Sequence, residues 1–158
     1  MIHPFDPVYN SQSRILILGS FPSVRSREIG FYYGHPQNRF WRVLARIYES
    51  NFSPMTIQER RTFVLDHQIA LWDVIHSCDI TGSSDASIRN AKANDLSPLL
   101  EQTGIERIFC NGKRSYDLYC RHLEKPTGIS AILLPSTSAA NAAWSLDRLT
   151  EAWQIIRG

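Results

Sequence analysis

The chain has 158 residues, 43% of them hydrophobic and 20% charged, with a formal net charge of +2. This fits a single packed domain over residues 1–158, excludes a disordered chain and leaves no apolar run long enough to span a bilayer. The weak positive charge permits a nucleic-acid partner without arguing for one, because a dedicated electrostatic binder carries a denser basic face.

Residues 14–19, RILILG, predict a fully buried strand of a parallel sheet ending at Gly19. Residues 20–37 are rich in Gly, Ser, Pro and Tyr and predict an irregular connection, long enough to point to a functional segment. From Asn38 the pattern changes, and Phe40, Val43, Leu44 and Ile47 recur at helical spacing. Thr56 and Glu59 form a capping box that opens a helix to about His67. Residues 69–75, IALWDVI, predict a second buried strand, and residues 76–92 are polar and irregular. Asp95 caps a short helix through Gln102, and 105–110, IERIFC, predict a third strand. Gly112 starts a helix carrying Tyr116, Leu118 and Tyr119, and 129–134, ISAILL, predict a fourth strand. The loop PSTSAANA (135–142) precedes a last helix with Leu146, Leu149, Trp153 and Ile156 on one side.

Such alternation implies α/β architecture, a parallel sheet with helices on both faces. Ligands of such sheets bind outside the carboxyl ends of the strands, where the unusual segments 19–38, 73–90, 110–114 and 135–143 fall. Cys78, Cys110 and Cys120 show no CxxC spacing, and the five histidines form no HxxxH pair. Free thiols and no metal are expected. The first residues lack the basic-then-apolar order of a secretory signal, so a cytoplasmic location is expected.

Segment 19–41, GSFPSVRSREIGFYYGHPQNRFW, combines small residues, arginines and aromatics at a strand end. That mixture suits a flat ring stacked beside a phosphate chain, and equally a surface loop packed by its own aromatics. In 135–142, small hydroxyl residues with free N–H groups suit phosphate contacts, although a Ser/Thr-capped turn would look the same.

Together, G-S-F-P, Y-Y-G-H-P-x-N-R-F-W and the late L-P-S-T-S-x-A-N-A resemble the uracil-DNA glycosylase superfamily, in particular its hypoxanthine-DNA glycosylase (DNA-deoxyinosine glycosylase) branch. The segment H-P-x-N-R-F-W is also similar to mismatch-specific uracil/thymine glycosylases. Leu71-Trp72-Asp73-Val74 and Asn111-Gly112-Lys113 fit the same layout, so the resemblance runs from about residue 14 to 157. It implies a three-layer α/β/α sandwich with a central four-stranded parallel sheet. It also implies a base-flipping repair enzyme with no metal and no cofactor, whose partner is DNA containing deaminated bases; a monomer, nucleoid-associated in a prokaryote, is expected. One departure matters. Gly19-Ser20-Phe21-Pro22-Ser23 lacks the Asp or Asn that other branches carry after the strand glycine. The resemblance instead carries the catalytic amide to Asn38.

On that basis Asn38 is expected to orient the attacking water, its carbonyl dipole favouring a cationic sugar, although Asn is also a natural helix cap. Phe21, Tyr32 and Tyr33 are candidates to stack on the base, with at least one of them expected in the core. Asp73 ends an apolar strand, where it could accept from a base N–H, pair with Arg89 or cap a turn. Asn111 offers the donor and acceptor that match the O6 and N1–H edge of hypoxanthine, and is the favoured base reader. Ser20, Arg25, Lys113, Ser136 and Ser138 are the candidate DNA contacts. Excision of uracil or mismatched thymine, and an inactive DNA- or nucleotide-binding domain, are the competing functions.

Overall fold

Side chains alternate along a strand, and in the first strand both faces are apolar: Ile15 and Ile17 enter one core, Leu16 and Leu18 the other. In the computed structural model, which describes residues 1–50 and 56–158, this strand is the middle of a three-layer α/β/α sandwich. In chain order the elements are β1 (Ile15–Gly19), α1 (Val24–Ile29), α2 (Phe40–Ile47), α3 (Ile57–Asp66), β2 (Ile69–Asp73), β3 (Ile75–Asp79) and β4 (Arg89–Ala93). They continue with α4 (Ser97–Glu101), β5 (Arg107–Asn111), α5 (Lys113–His122), α6 (Glu124–Thr127), β6 (Ala131–Leu134) and α7 (Leu146–Trp153).

The sheet has the order β2-β1-β5-β6 and is parallel throughout, as expected from the apolar runs. One face is covered by α2, α3 and α7, where Phe40, Trp41, Leu44, Leu149 and Trp153 are buried. Leu99 of α4 with Leu118 and Tyr119 of α5 cover the other. Because the strands run the same way, Gly19, Asp73, Asn111 and the chain after Leu134 meet at one edge.

Local signals explain most element ends. Thr56 and Glu59 do form a reciprocal capping box, with bonds of 3.1 and 3.0 Å. Asp95 accepts from the Ser97 N–H at the start of α4. Gly112 precedes α5 with φ +97, a conformation closed to most side chains, and a Cβ there would press on Ser136. Two expectations are corrected. The 20–37 connection contains α1, held by the Ser23 cap and the left-handed Gly30. The 76–92 segment contains the antiparallel β3–β4 hairpin, whose register shifts leave no clean alternation to read.

Cys78, Cys110 and Cys120 are free thiols, and burial pushes Cys110 up to about 12, well away from thiolate reactivity. Among the described residues no helix is long and apolar enough to cross a membrane.

Candidate active site

A cleft of about 1120 Å³ opens at the carboxyl edge of the sheet. Its lining includes Gly19, Phe21, Tyr33, Asn38, Asp73, Asp85, Asn111, Lys113 and the 133–141 loop. The four segments singled out by position at strand ends therefore do converge on one cavity.

Asn38 precedes α2. Its Oδ1 accepts the Phe40 N–H at 2.9 Å and the Thr137 hydroxyl at 2.9 Å. The backbone N–H can only donate, so this atom is the carbonyl oxygen and the amide orientation follows. Thr137 in turn accepts from Asn111 Nδ2 at 3.0 Å and donates its backbone N–H to Asn111 Oδ1 at 3.0 Å. Every direction in this chain is fixed: Asn111 N–H to Thr137 O–H to Asn38 C=O. One expectation changes as a result. The Asn38 carbonyl is occupied by two donors, and what Asn38 offers the cleft is its Nδ2 donor. Asn111 spends one N–H and one lone pair of its oxygen on Thr137, which leaves a second N–H and a second lone pair on a side chain that lines the cleft.

Asp73, at the end of β2, is only 3% exposed. Its Oδ2 lies 2.7 Å from His3 Nε2, and its Oδ1 makes no hydrogen bond among the described residues. It does not pair with Arg89, whose guanidinium lies on the Ala86 and Ile88 carbonyls. Gly19 is required beside it: a Cβ there would collide with Asp73 Oδ1 and approach the Tyr33 hydroxyl within 3.3 Å.

Tyr33 sits in the left-handed region at φ 52, strained for a tyrosine, with its ring stacked on Phe40 at 4.0 Å between centroids. One ring face is thus covered already. Its hydroxyl is buried and makes no well-formed hydrogen bond, and burial, then the Asp73 charge, hold the phenol well above its ordinary value, opposed by the nearby Asn111 amide. Tyr32 is core, 2% exposed, its hydroxyl donating to the Asp6 carbonyl. Phe21 lines the cleft and touches the His3 ring edge-on.

The candidate DNA contacts divide. The Ser20 hydroxyl donates to Asp85 at 2.6 Å, so it is not a free donor for phosphate. Desolvation raises the Asp85 carboxyl above its ordinary value, opposed by Ser20 and by the charge of Arg114. Arg25 pairs with Glu28 and does not line the cleft. Lys113 does, with its ammonium on Asp117 at 3.0 Å. The Ser136 and Ser138 hydroxyls accept from the amides of Ser138 and Ala140, which leaves their own protons available.

Three residues escaped the sequence reading. Thr137 is fully buried and joins Asn38 to Asn111. Arg39 fastens the late loop by donating to the carbonyls of Thr137, Ser138, Asn141 and Trp144. His3 holds Asp73 from the N-terminal segment. None had a periodicity or spacing signal. Only the adjacency of Arg39 to Asn38, and of Thr137 to the candidate serines, could have pointed to two of them.

A parallel α/β/α sandwich with a cleft at its strand ends, lined by two amides, a buried carboxylate and a serine-rich loop, defines an α/β domain with a ligand site at the carboxyl edge of its sheet. The particular family follows from comparison. The sequence profile of the Uracil DNA glycosylase superfamily matches residues 7–157, and the chain belongs to that superfamily. It is 33% identical over 153 residues to a protein of Methanosarcina acetivorans named hypoxanthine DNA glycosylase, covering 96% of this chain and 95% of that one. A protein of the same name from Methanosarcina barkeri is 33% identical over 138 residues, covering 87% and 86% of the two chains. The fold is similar, at a TM-score of 0.83 and 33% identity, to a solution structure from Methanosarcina acetivorans described as a uracil DNA glycosylase, covering 99% of this chain and 98% of the other.

Proposed function

We propose that this chain is a monomeric, cytoplasmic and monofunctional DNA glycosylase that hydrolyses the N-glycosidic bond of a deaminated base, hypoxanthine first among them. The observation that carries this reading is Asp73, a buried carboxylate with Oδ2 held by His3 and Oδ1 free beside Gly19 in the cleft. Deamination of adenine turns N1 from an acceptor into an N–H donor and replaces the amino donor at C6 by a carbonyl. A fixed carboxylate accepts from that N1–H and repels the lone pair that adenine presents there. The buried Tyr33 hydroxyl flanks the same point and supplies a donor for O6. Guanine and thymine share the lactam edge, and the cost of extruding a properly paired base works against them.

Phe21 packs on the base, and the Ser136 and Ser138 hydroxyls, with Lys113, take the flanking phosphates. The glycosidic electron pair leaves with the base, which Asp73 and Tyr33 hold. Water adds to the cationic sugar carbon and releases a proton to solvent, leaving an abasic site. Asn38 anchors that water by donating from Nδ2 to one lone pair, so the other faces the sugar; positioning suffices because the cationic carbon needs little push. The hydroxyl of Thr137 on the Asn38 carbonyl polarises the amide and strengthens this donor. Lys113 is 77% exposed and spends its side-chain nitrogen on Asp117, and no amine nucleophile for a strand-cutting step is assigned to it.

Single-turnover assays of abasic-site formation on duplexes containing inosine, xanthine, uracil or a G·T pair test this reading. Inosine is expected to be cut fastest. Cutting of uracil or thymine alone would move the base assignment, and product-DNA binding with no cutting of any duplex would leave a binding domain.

A further inference from the structure

The N-terminal segment lies along the sheet edge as a strap, with antiparallel bridges between Ile2 and Ser77 and between Val8 and Leu71. The His3 N–H donates to the His76 carbonyl at 2.7 Å, and Val8 and Leu71 exchange bonds of 2.9 Å. These contacts carry one imidazole to the side of Asp73, which lines the cleft. The His3 and Asp73 side chains are 3% and 5% exposed and meet at 2.7 Å. The Phe5 N–H points to His3 Nδ1 at 3.4 Å; a backbone N–H can only donate, so Nδ1 is the acceptor and the ring proton sits on Nε2, facing Asp73. Phe5 and Phe21 meet the ring edge-on at 4.8 and 5.8 Å and hold its plane.

We infer that His3 is a positioning residue for base recognition, acting through Asp73; the inference rests on the assignment of Asp73 as base reader made above. A carboxylate this buried stays an acceptor only while a donor holds it. The Nε2–H of His3 is that donor. It occupies Oδ2, stops the carboxylate from rotating and leaves Oδ1 alone for the N–H that deamination creates. Without it the carboxylate would be free to turn and would no longer accept from N1–H along a fixed direction.

The test is single-turnover excision of inosine by the full chain, with thermal unfolding measured alongside. His3→Phe keeps a ring in the strap and removes the donor; His3→Leu is a second donor-free variant should the first misfold. Excision is expected to fall about 10-fold, the size of one hydrogen bond to a charged group, with product-DNA affinity near wild type. His3→Gln, whose amide N–H reaches a similar point, is expected to recover most of the rate. In an Asp73→Asn background the His3→Phe change is expected to add nothing, since the group it acts through is gone. Wild-type excision by both folded donor-free variants, while Asp73→Asn is impaired, overturns the role of His3 and leaves that of Asp73 standing. Equal loss in His3→Phe and His3→Gln, or full additivity with Asp73→Asn, reduces His3 to a packing residue and overturns the inference. Wild-type excision by Asp73→Asn removes the assignment of Asp73 itself and the inference with it.

Discussion

The wall of the cleft built by β1, β2 and the connection between β3 and β4 carries two carboxylates, Asp73 and Asp85, each with one oxygen held by a neighbour, His3 or Ser20. The opposite wall, built by β5, β6 and the loop after them, lines the cleft with Asn111, Lys113, Ser136, Thr137 and Ser138 and no carboxylate. Phosphates are repelled by the first wall and accepted by the second, whereas a base N–H is best received by the first. In the proposed reading a nucleotide bridges the two with its sugar between them. Asn38 leaves the loop after β1 yet is tied to the second wall by Thr137, which on that reading puts it beside the sugar. The asymmetry would then orient the substrate before any base contact forms.

The largest expected effect falls on the acidic wall. Asp73→Asn should lower single-turnover excision of inosine on the order of 10² or more, with product-DNA affinity within a few-fold of wild type. Unchanged excision would remove the base from this wall.

Asn38→Ala should approach the same loss on the order of 10². It should also lower stability by about 1 kcal/mol, because the Phe40 N–H loses its partner, so unfolding has to be measured with it. Asn38→Asp sharpens the comparison. A carboxylate keeps the Phe40 and Thr137 bonds and can hold water with the opposite polarity, so an intermediate rate is expected. A loss as deep as that of Ala would mean that the Nδ2 donor acts on the departing base instead.

Thr137→Val removes one buried hydroxyl between Asn38 and Asn111 and should slow excision about 10-fold, with a lower thermal midpoint. Wild-type kinetics in this variant would show that Asn38 needs no link to the second wall.

Lys113→Ala should reduce the salt dependence of product-DNA binding by about one unit of slope, whereas Arg25→Ala, paired with Glu28 outside the cleft, should leave it unchanged. The reverse result would move the phosphates off the second wall.

The smallest effect concerns Asp85. Its carboxyl lies above the ordinary range when DNA is absent, and an approaching phosphate raises it further, so binding takes up a proton. Product-DNA affinity should therefore tighten as pH falls into the weakly acidic range. Asp85→Asn should bind a few-fold more tightly at neutral pH and lose that dependence.

Much of the fold was legible because it rests on local rules. The four parallel strands announced themselves as apolar runs, although β6, at the sheet edge, leaves Leu133 exposed, and α3 by the Thr56–Glu59 box. The cap signals of α1, Ser23 and Gly30, were present but lay inside a stretch whose glycines and prolines read as loop. The β3–β4 hairpin could not be read, since charged residues and register shifts erase its period of two and the N-terminal strap adds a bridge to β3 from far away in the chain. At the site, strand-end position brought Asp73, Asn111, Asn38 and the 135–142 loop together correctly, but not what each one faces.

By itself the sequence determined the sandwich, its strand ends and the family motifs that gather there, because strand burial, helix spacing and capping are encoded within a few residues of one another. Only the tertiary structure decided which polar atoms remain for a substrate. His3 and Asp73 are 70 residues apart, Asn38 and Thr137 are 99, and Asn111 and Thr137 are 26. Buried polar groups satisfy one another first, and what stays unpaired at the cleft is the remainder of that pairing. This pairing takes one N–H and one lone pair of the Asn111 amide for Thr137, occupies the Asn38 carbonyl with two donors, and leaves one oxygen of Asp73 free beside Gly19.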